Sequence, residues 1–207
     1  MKDMQRDESF FCFDFDGTVS SAEALPRLAK EAGIEEEMAT LTDITMKGIL
    51  PFSQSFRLRV KLLSSIPLAQ AQNVMDQVPI SPDISNFIRE NSDRCVIITG
   101  NLDVFMRPII EKLPCRFFTS KAKLENGRLE GIDALLDKGD VMRMLRDREG
   151  YRRLVAIGDG ANDIPMFEAA DVAVSYFGVT RANELLYPFS HYVVFRDKSL
   201  CRLLKTL

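Results

Sequence analysis

Two carboxylates, Asp14 and Asp16, close an apolar run that reads Phe10-Phe11-Cys12-Phe13-Asp14-Phe15-Asp16-Gly17-Thr18. On a strand, positions i and i+2 point the same way, so both acids are expected side by side where the strand ends. In open α/β sheets that end is where ligands bind. Adjacent carboxylates repel each other, and a divalent cation or a shared proton relieves the repulsion. The plainer reading is a strand whose Asp residues start a turn.

Three further segments bear on that choice. The strand-like run Arg94 to Ile98 leads into Thr99-Gly100-Asn101, and Leu102 to Leu113 reads as a helix. A hydroxyl and small loop residues at a strand-to-helix turn suit a phosphate, although Thr and Asn also make ordinary helix caps. Lys138 stands ahead of the amphipathic run Val141 to Leu145, where a lysine taken at random is a surface residue. Finally, Leu154-Val155-Ala156-Ile157 runs into Gly158-Asp159-Gly160-Ala161-Asn162-Asp163. Asp163 alone could be a helix cap, but three acids at strand exits are more than turns require.

In chain order the segments read DFDGT, TGN, a lysine and GDGAND. This set resembles the haloacid dehalogenase-like phosphatases, whose four motifs have this order and these residue types, and the resemblance covers essentially the whole chain. Glu23, Glu31-Ala32-Gly33-Ile34, Thr45-Met46-Lys47-Gly48 and Pro51 to Val60 are similar to the helical cap of the phosphoserine phosphatase subfamily. The resemblance implies a doubly wound parallel α/β sheet, residues 1–19 and 79–207, with a small helical cap inserted at 20–78. It also implies Mg²⁺-dependent hydrolysis of a small phosphomonoester, O-phospho-L-serine, through an aspartyl-phosphate.

Site roles follow from the same resemblance. Asp14 is the expected nucleophile, and Asp16 the acid that protonates the leaving alkoxide and then the base that activates water. Asp14, the backbone carbonyl of Asp16, and Asp159 are expected to hold the metal, with Asp163 in support. Thr99 and Lys138 are expected on the phosphoryl oxygens, with Gly100 and Asn101 beside them and Asn162 orienting Lys138 or its loop. Glu23 is expected to bind the substrate ammonium and Arg59 its carboxylate, with Met46 and Phe52 as the apolar wall. The motif usually reads Ser-Gly-Gly where this chain has Thr99-Gly100-Asn101, so Asn101 adds a side chain beside the substrate. The segment before Lys138 is also shorter than usual. Two alternatives stay open: the same chemistry on another small phosphometabolite, including transfer to a small acceptor, and a binding module without turnover.

Composition agrees with an enzyme core plus a small insertion. The chain has 207 residues, 46% of them hydrophobic, which is enough for a buried core. A net charge of −3 gives no electrostatic case for nucleic acid or membrane partners. The four cysteines show no metal-ligand spacing, and Cys12 and Cys95 read as buried thiols in a reducing, cytoplasmic setting. The single His191 reads as structural.

The elements that must position these residues alternate along the chain. A strand is expected over 9–15. Helical periodicity follows at 22–32, 35–46, 52–63 and 68–77. A helix at 85–91 precedes further strand–helix alternation, which implies parallel pairing. Asn126-Gly127 predicts a tight hairpin within 123–129.

Overall fold

A computed structural model describes residues 8–46 and 49–207 of the chain. Strand β1 (Ser9–Phe13) lies at the centre of a seven-stranded sheet of order β4-β3-β2-β1-β5-β6-β7. Its two neighbours come from far along the chain. They are β2 (Cys95–Leu102) and β5 (Arg153–Gly158), and both pair with it in parallel. Beyond β5, the strands β6 (Val172–Tyr176) and β7 (Tyr192–Val194) continue in parallel. On the other side β3 (Arg116–Glu125) is parallel to β2, and β4 (Arg128–Ala134) folds back antiparallel on β3. The sheet is therefore the expected doubly wound one, with an antiparallel edge strand.

The hairpin turns at Asn126 (φ 48°) and Gly127 (φ 75°), as the Asn-Gly pair predicts. Its strands run well past 123–129, because Arg116 to Thr119 also continue the ladder to β2.

All five residues of β1 are buried. Phe11 and Phe13 face one apolar core, and Phe10 and Cys12 face the other. A strand can be apolar on both sides only when helices cover both faces. One face is covered by α7 (Lys138–Asp147) and α8 (Ile164–Glu168), through residues such as Met142, Leu145 and Met166. The other is covered by α5 (Pro82–Glu90), α6 (Asp103–Ile110) and α9 (Asp197–Leu204), through Ile84, Met106 and Leu200.

Between β1 and α5 come α1 (Ala24–Ala32), α2 (Glu35–Met46), α3 (Phe52–Leu63) and α4 (Leu68–Asp76). Their buried residues Leu28, Phe56, Val60, Leu63 and Met75 join the core on the α5–α6 side. The chain leaves for these helices and returns from them at one place. There Ser21 N–H donates to the Pro79 carbonyl at 2.8 Å and Ser81 N–H to the Val19 carbonyl at 2.9 Å. Helix α5 starts at Pro82, earlier than the expected 85. Ser81 caps it through a bond from Ile84 N–H, and proline's fixed φ suits the first helical position. His191 is structural, as expected, since its Nδ1 accepts the Ala173 N–H. Cys12 and Cys95 are buried in their strands.

Candidate active site

Asp14 is the first residue past β1, and its N–H still donates to the Ile157 carbonyl of β5 at 2.8 Å. That last ladder bond fixes the backbone where the carboxylate emerges. The chain then turns sharply, and Gly17 takes φ 71°. A Cβ on Gly17 would stand 2.4 Å from an Asp159 carboxylate oxygen. Both the left-handed backbone and the close approach therefore require glycine here.

Lys138 opens α7, whose cap is the Asp137 side chain accepting from Asp140 N–H. Its side chain is buried, and Nζ lies 2.5 Å from Asp14 Oδ1 and 2.5 Å from Asp163 Oδ1. Burial works against its charge, but the two carboxylates prevail and raise its pKa. Asp163 in turn accepts at Oδ2 from the N–H groups of Asp159 and Gly160, both at 3.0 Å. This holds the loop after β5 in place. Gly158 is required beside it, since a Cβ there would meet Asp163 Oδ2 at 2.4 Å.

Asp159 accepts from Thr180 Oγ1 at 2.8 Å and from Thr18 Oγ1 at 3.3 Å. Carboxylate oxygens of Asp14, Asp159 and Asp163 all lie within 4.8 Å of one another. Burial and the neighbouring Asp163 push Asp14 well above the usual carboxylate range, and push Asp159 up to about 7. Hard carboxylate oxygens crowded at this distance, with Lys138 as the paired cation, fit a hard divalent metal ion. The cluster can thus bind a metal.

Asp16 is held from two sides. Its Oδ1 accepts Ala24 N–H at 2.8 Å, and its Oδ2 accepts Asn101 Nδ2 at 2.5 Å. Burial raises its pKa to about 6, against the lowering effect of those two bonds. Thr99 ends the regular part of β2 almost fully buried, and its Oγ1 accepts Asn101 N–H at 3.2 Å. Gly100, between them, is partly buried.

The residues expected on the inserted helices are more dispersed. Glu23 is exposed and just precedes α1, yet its charge acts on both Asp16 and Arg59. Arg59 on α3 is 9% exposed, burial lowers its pKa, and its Nε has no hydrogen-bond partner among the described residues. Phe52 is half-exposed and stacks on buried Phe56, with centroids 5.9 Å apart. Met46 ends α2 with its side chain outside the described residues, as are Lys47 and Gly48. Asn162 is exposed and lies against Gly160, whereas Lys138 pairs with Asp14 and Asp163. Thr18 and Thr180 were not among the expected site residues. Thr18 could have been found from its place in the first motif, whereas Thr180 sits in a loop after β6 with no local signal.

Residues 11–168 match the model of the haloacid dehalogenase-like hydrolase family, so the chain belongs to that family. A phosphoserine phosphatase of Methanocaldococcus jannaschii is 31% identical over 184 residues, covering 84% of this chain and 87% of the relative. One from Archaeoglobus fulgidus is 30% identical, covering 83% of this chain, which spans 53% of that protein. Among solved structures, a phospho-aspartyl intermediate analogue of phosphoserine phosphatase superposes with a TM-score of 0.82 at 29% identity. It covers 97% of this chain and 99% of the other.

Proposed function

We propose that the chain is a metal-dependent phosphoserine phosphatase, converting O-phospho-L-serine to L-serine and phosphate. The observation that carries the substrate is Arg59. A buried donor without a partner costs about 1–3 kcal/mol, and more when charged. A substrate carboxylate bonded to the guanidinium removes that cost on binding, and Glu23, whose charge acts on both Asp16 and Arg59, would meet the ammonium group. The similarity to curated phosphoserine phosphatases supports the same reading.

The reaction proceeds by in-line attack. One oxygen of Asp14 forms a bond to phosphorus as the ester bond breaks, giving an aspartyl-phosphate. Lys138 and Thr99 hold the equatorial oxygens, where charge lies in the transition state. Asp16 gives its proton to the departing serine oxygen, and its raised pKa suits that role. It then takes a proton from the water that hydrolyses the intermediate. Mg²⁺, held by Asp14, the Asp16 carbonyl and Asp159 with Asp163 in support, would neutralise the charge that otherwise keeps a carboxylate from a phosphate dianion. Residues 20–78 would form the cap that excludes water from the site, with 1–19 and 79–207 as the core; residues 1–7, 47 and 48 of these ranges lie outside the described residues.

The test is phosphate release from L-phosphoserine, D-phosphoserine, phosphothreonine, phosphoethanolamine and a sugar phosphate, each with Mg²⁺ and with chelator. A Mg²⁺-dependent preference for L-phosphoserine, abolished in Asp14→Asn, is expected. Preference for another ester would keep the chemistry and remove the substrate. Capture of the phosphoryl group by an added alcohol would make the chain a transferase.

A further inference from the structure

Asn101 is 4% exposed, and its amide is aimed at the carboxyl of Asp16. The two bonds to that carboxyl come from different parts of the molecule. Oδ1 is met by the N–H of Ala24, the first residue of α1, and Oδ2 by the Asn101 side chain at the end of β2. The terminal torsion of an Asp side chain is broad. A single donor leaves the carboxyl free to rock about that bond, and a second donor on the other oxygen fixes its plane. Asn101 is itself tied down, since its N–H donates to Thr99 Oγ1 at 3.2 Å.

We propose that Asn101 is a positioning residue for proton transfer, setting the plane of the Asp16 carboxyl so that its proton meets the oxygen leaving phosphorus. This rests on the role given to Asp16 above. As the Asp14 oxygen bonds to phosphorus, the ester P–O bond breaks and the leaving oxygen takes the proton from Asp16, which becomes a carboxylate. A hydrogen bond to an ionised acceptor is roughly twice as strong as one to a neutral acceptor. The Asn101 bond therefore tightens as Asp16 gives up its proton, and it contributes more in the transition state than in the ground state.

The test compares leaving groups. Values of kcat/KM are measured for wild type, Asn101→Ala and Asn101→Ser on L-phosphoserine, phosphoethanolamine and a series of aryl phosphates ending at p-nitrophenyl phosphate. This constant includes ester cleavage even when a later step limits kcat. The expected result is a loss on the order of 10- to 100-fold on the alkyl phosphates. A much smaller loss is expected on p-nitrophenyl phosphate, whose leaving oxygen needs no proton, with a steeper dependence on leaving-group pKa across the series. Equal losses on every ester, or no loss on any, would overturn the inference. Asn101→Ser, too short to reach Asp16, gives the same readout if the alanine variant does not fold. Asp16→Asn serves as the reference. If it leaves the alkyl-to-aryl ratio unchanged, Asp16 is not the acid, and the role of Asn101 falls with it. If Asp16→Asn lowers the ratio and both Asn101 variants leave it intact, only the inference about Asn101 fails.

Discussion

Lys138 shows how much a single side chain settles here. It is the ammonium against which Asp14 and Asp163 are both drawn, at 2.5 Å each. Removing the ammonium leaves two buried carboxylates uncompensated, at about 3–5 kcal/mol, whereas neutralising Asp14 leaves Lys138 paired with Asp163. Lys138→Ala is therefore expected to lose activity and lower the melting temperature together, whereas Asp14→Asn should lose activity with little loss of stability. Parallel activity and melting measurements on the two variants check this. Thr180 allows a finer test. Thr180→Val keeps the shape and removes the bond to Asp159 Oδ2. Under the metal-holding role proposed for Asp159, losing this support typically costs 10- to 100-fold in metal affinity, so a shift of about that size in the Mg²⁺ concentration for half-maximal activity is expected. Arg59→Ala should raise KM for phosphoserine by about 10- to 100-fold, the worth of a charged hydrogen bond. It should leave an aryl phosphate nearly untouched, and an equal rise for both would end its assignment to the carboxylate.

At the scale of elements, Asp171 ties two neighbouring strands. Its Oδ2 accepts Leu154 N–H at 2.7 Å and Arg146 at 2.8 Å, joining the start of β6 to β5 and α7. Desolvation raises its pKa, but these bonds prevail and hold it below the usual carboxylate range. Its contribution is thus complete above the unfolded value of about 3.9 and disappears as pH falls through the folded value. The side chain is 38% exposed and screened by solvent. Asp171→Asn should therefore cost only about 1 kcal/mol at pH 7, and the gap in melting temperature should close as pH falls below the usual carboxylate range.

Legibility in the sequence also divides by element. Helices α2 and α3 fall where their periodicity predicts, because each buries one stripe and leaves the rest in water. The two acids after an apolar run mark the region where β1 ends but not the residue: the strand expected over 9–15 stops at Phe13, and the chain turns through Asp14 to Gly17 instead. What could not be read is what depends on long-range approach. The bond from Asn101 to Asp16 spans 85 positions and that from Thr18 to Asp159 spans 141, and no local pattern encodes either. Arg59 looks like one more charge on an amphipathic helix until packing buries it.

For the whole molecule, the charge balance of the site predicts its response to metal. Three carboxylates lie within 4.8 Å of one another, and burial with mutual repulsion raises the pKa of Asp14 and Asp159. A cation that binds only the folded state adds about 2.7 kcal/mol at one hundred times its dissociation constant. At 2–4 °C per kcal/mol for a chain of this size, saturating Mg²⁺ should raise the melting temperature by about 5–10 °C over chelator. Asp159→Asn should abolish most of that rise while making the metal-free protein no less stable. Among the described residues no helix is long and apolar enough to cross a membrane.

The strand order carries one consequence in time. The partners of β1 are β2, which begins at Cys95, and β5, which begins at Arg153. A ribosome adding about 5–20 residues per second would release β5 roughly 7–30 s after β1. Throughout that interval the helices of 24–76 can form from local contacts, but Phe10 to Phe13 have no second neighbour to pair with. The strand that leads into Asp14 is thus among the first made and among the last completed, and an apolar ribbon waits in the open while the rest of the sheet is synthesised.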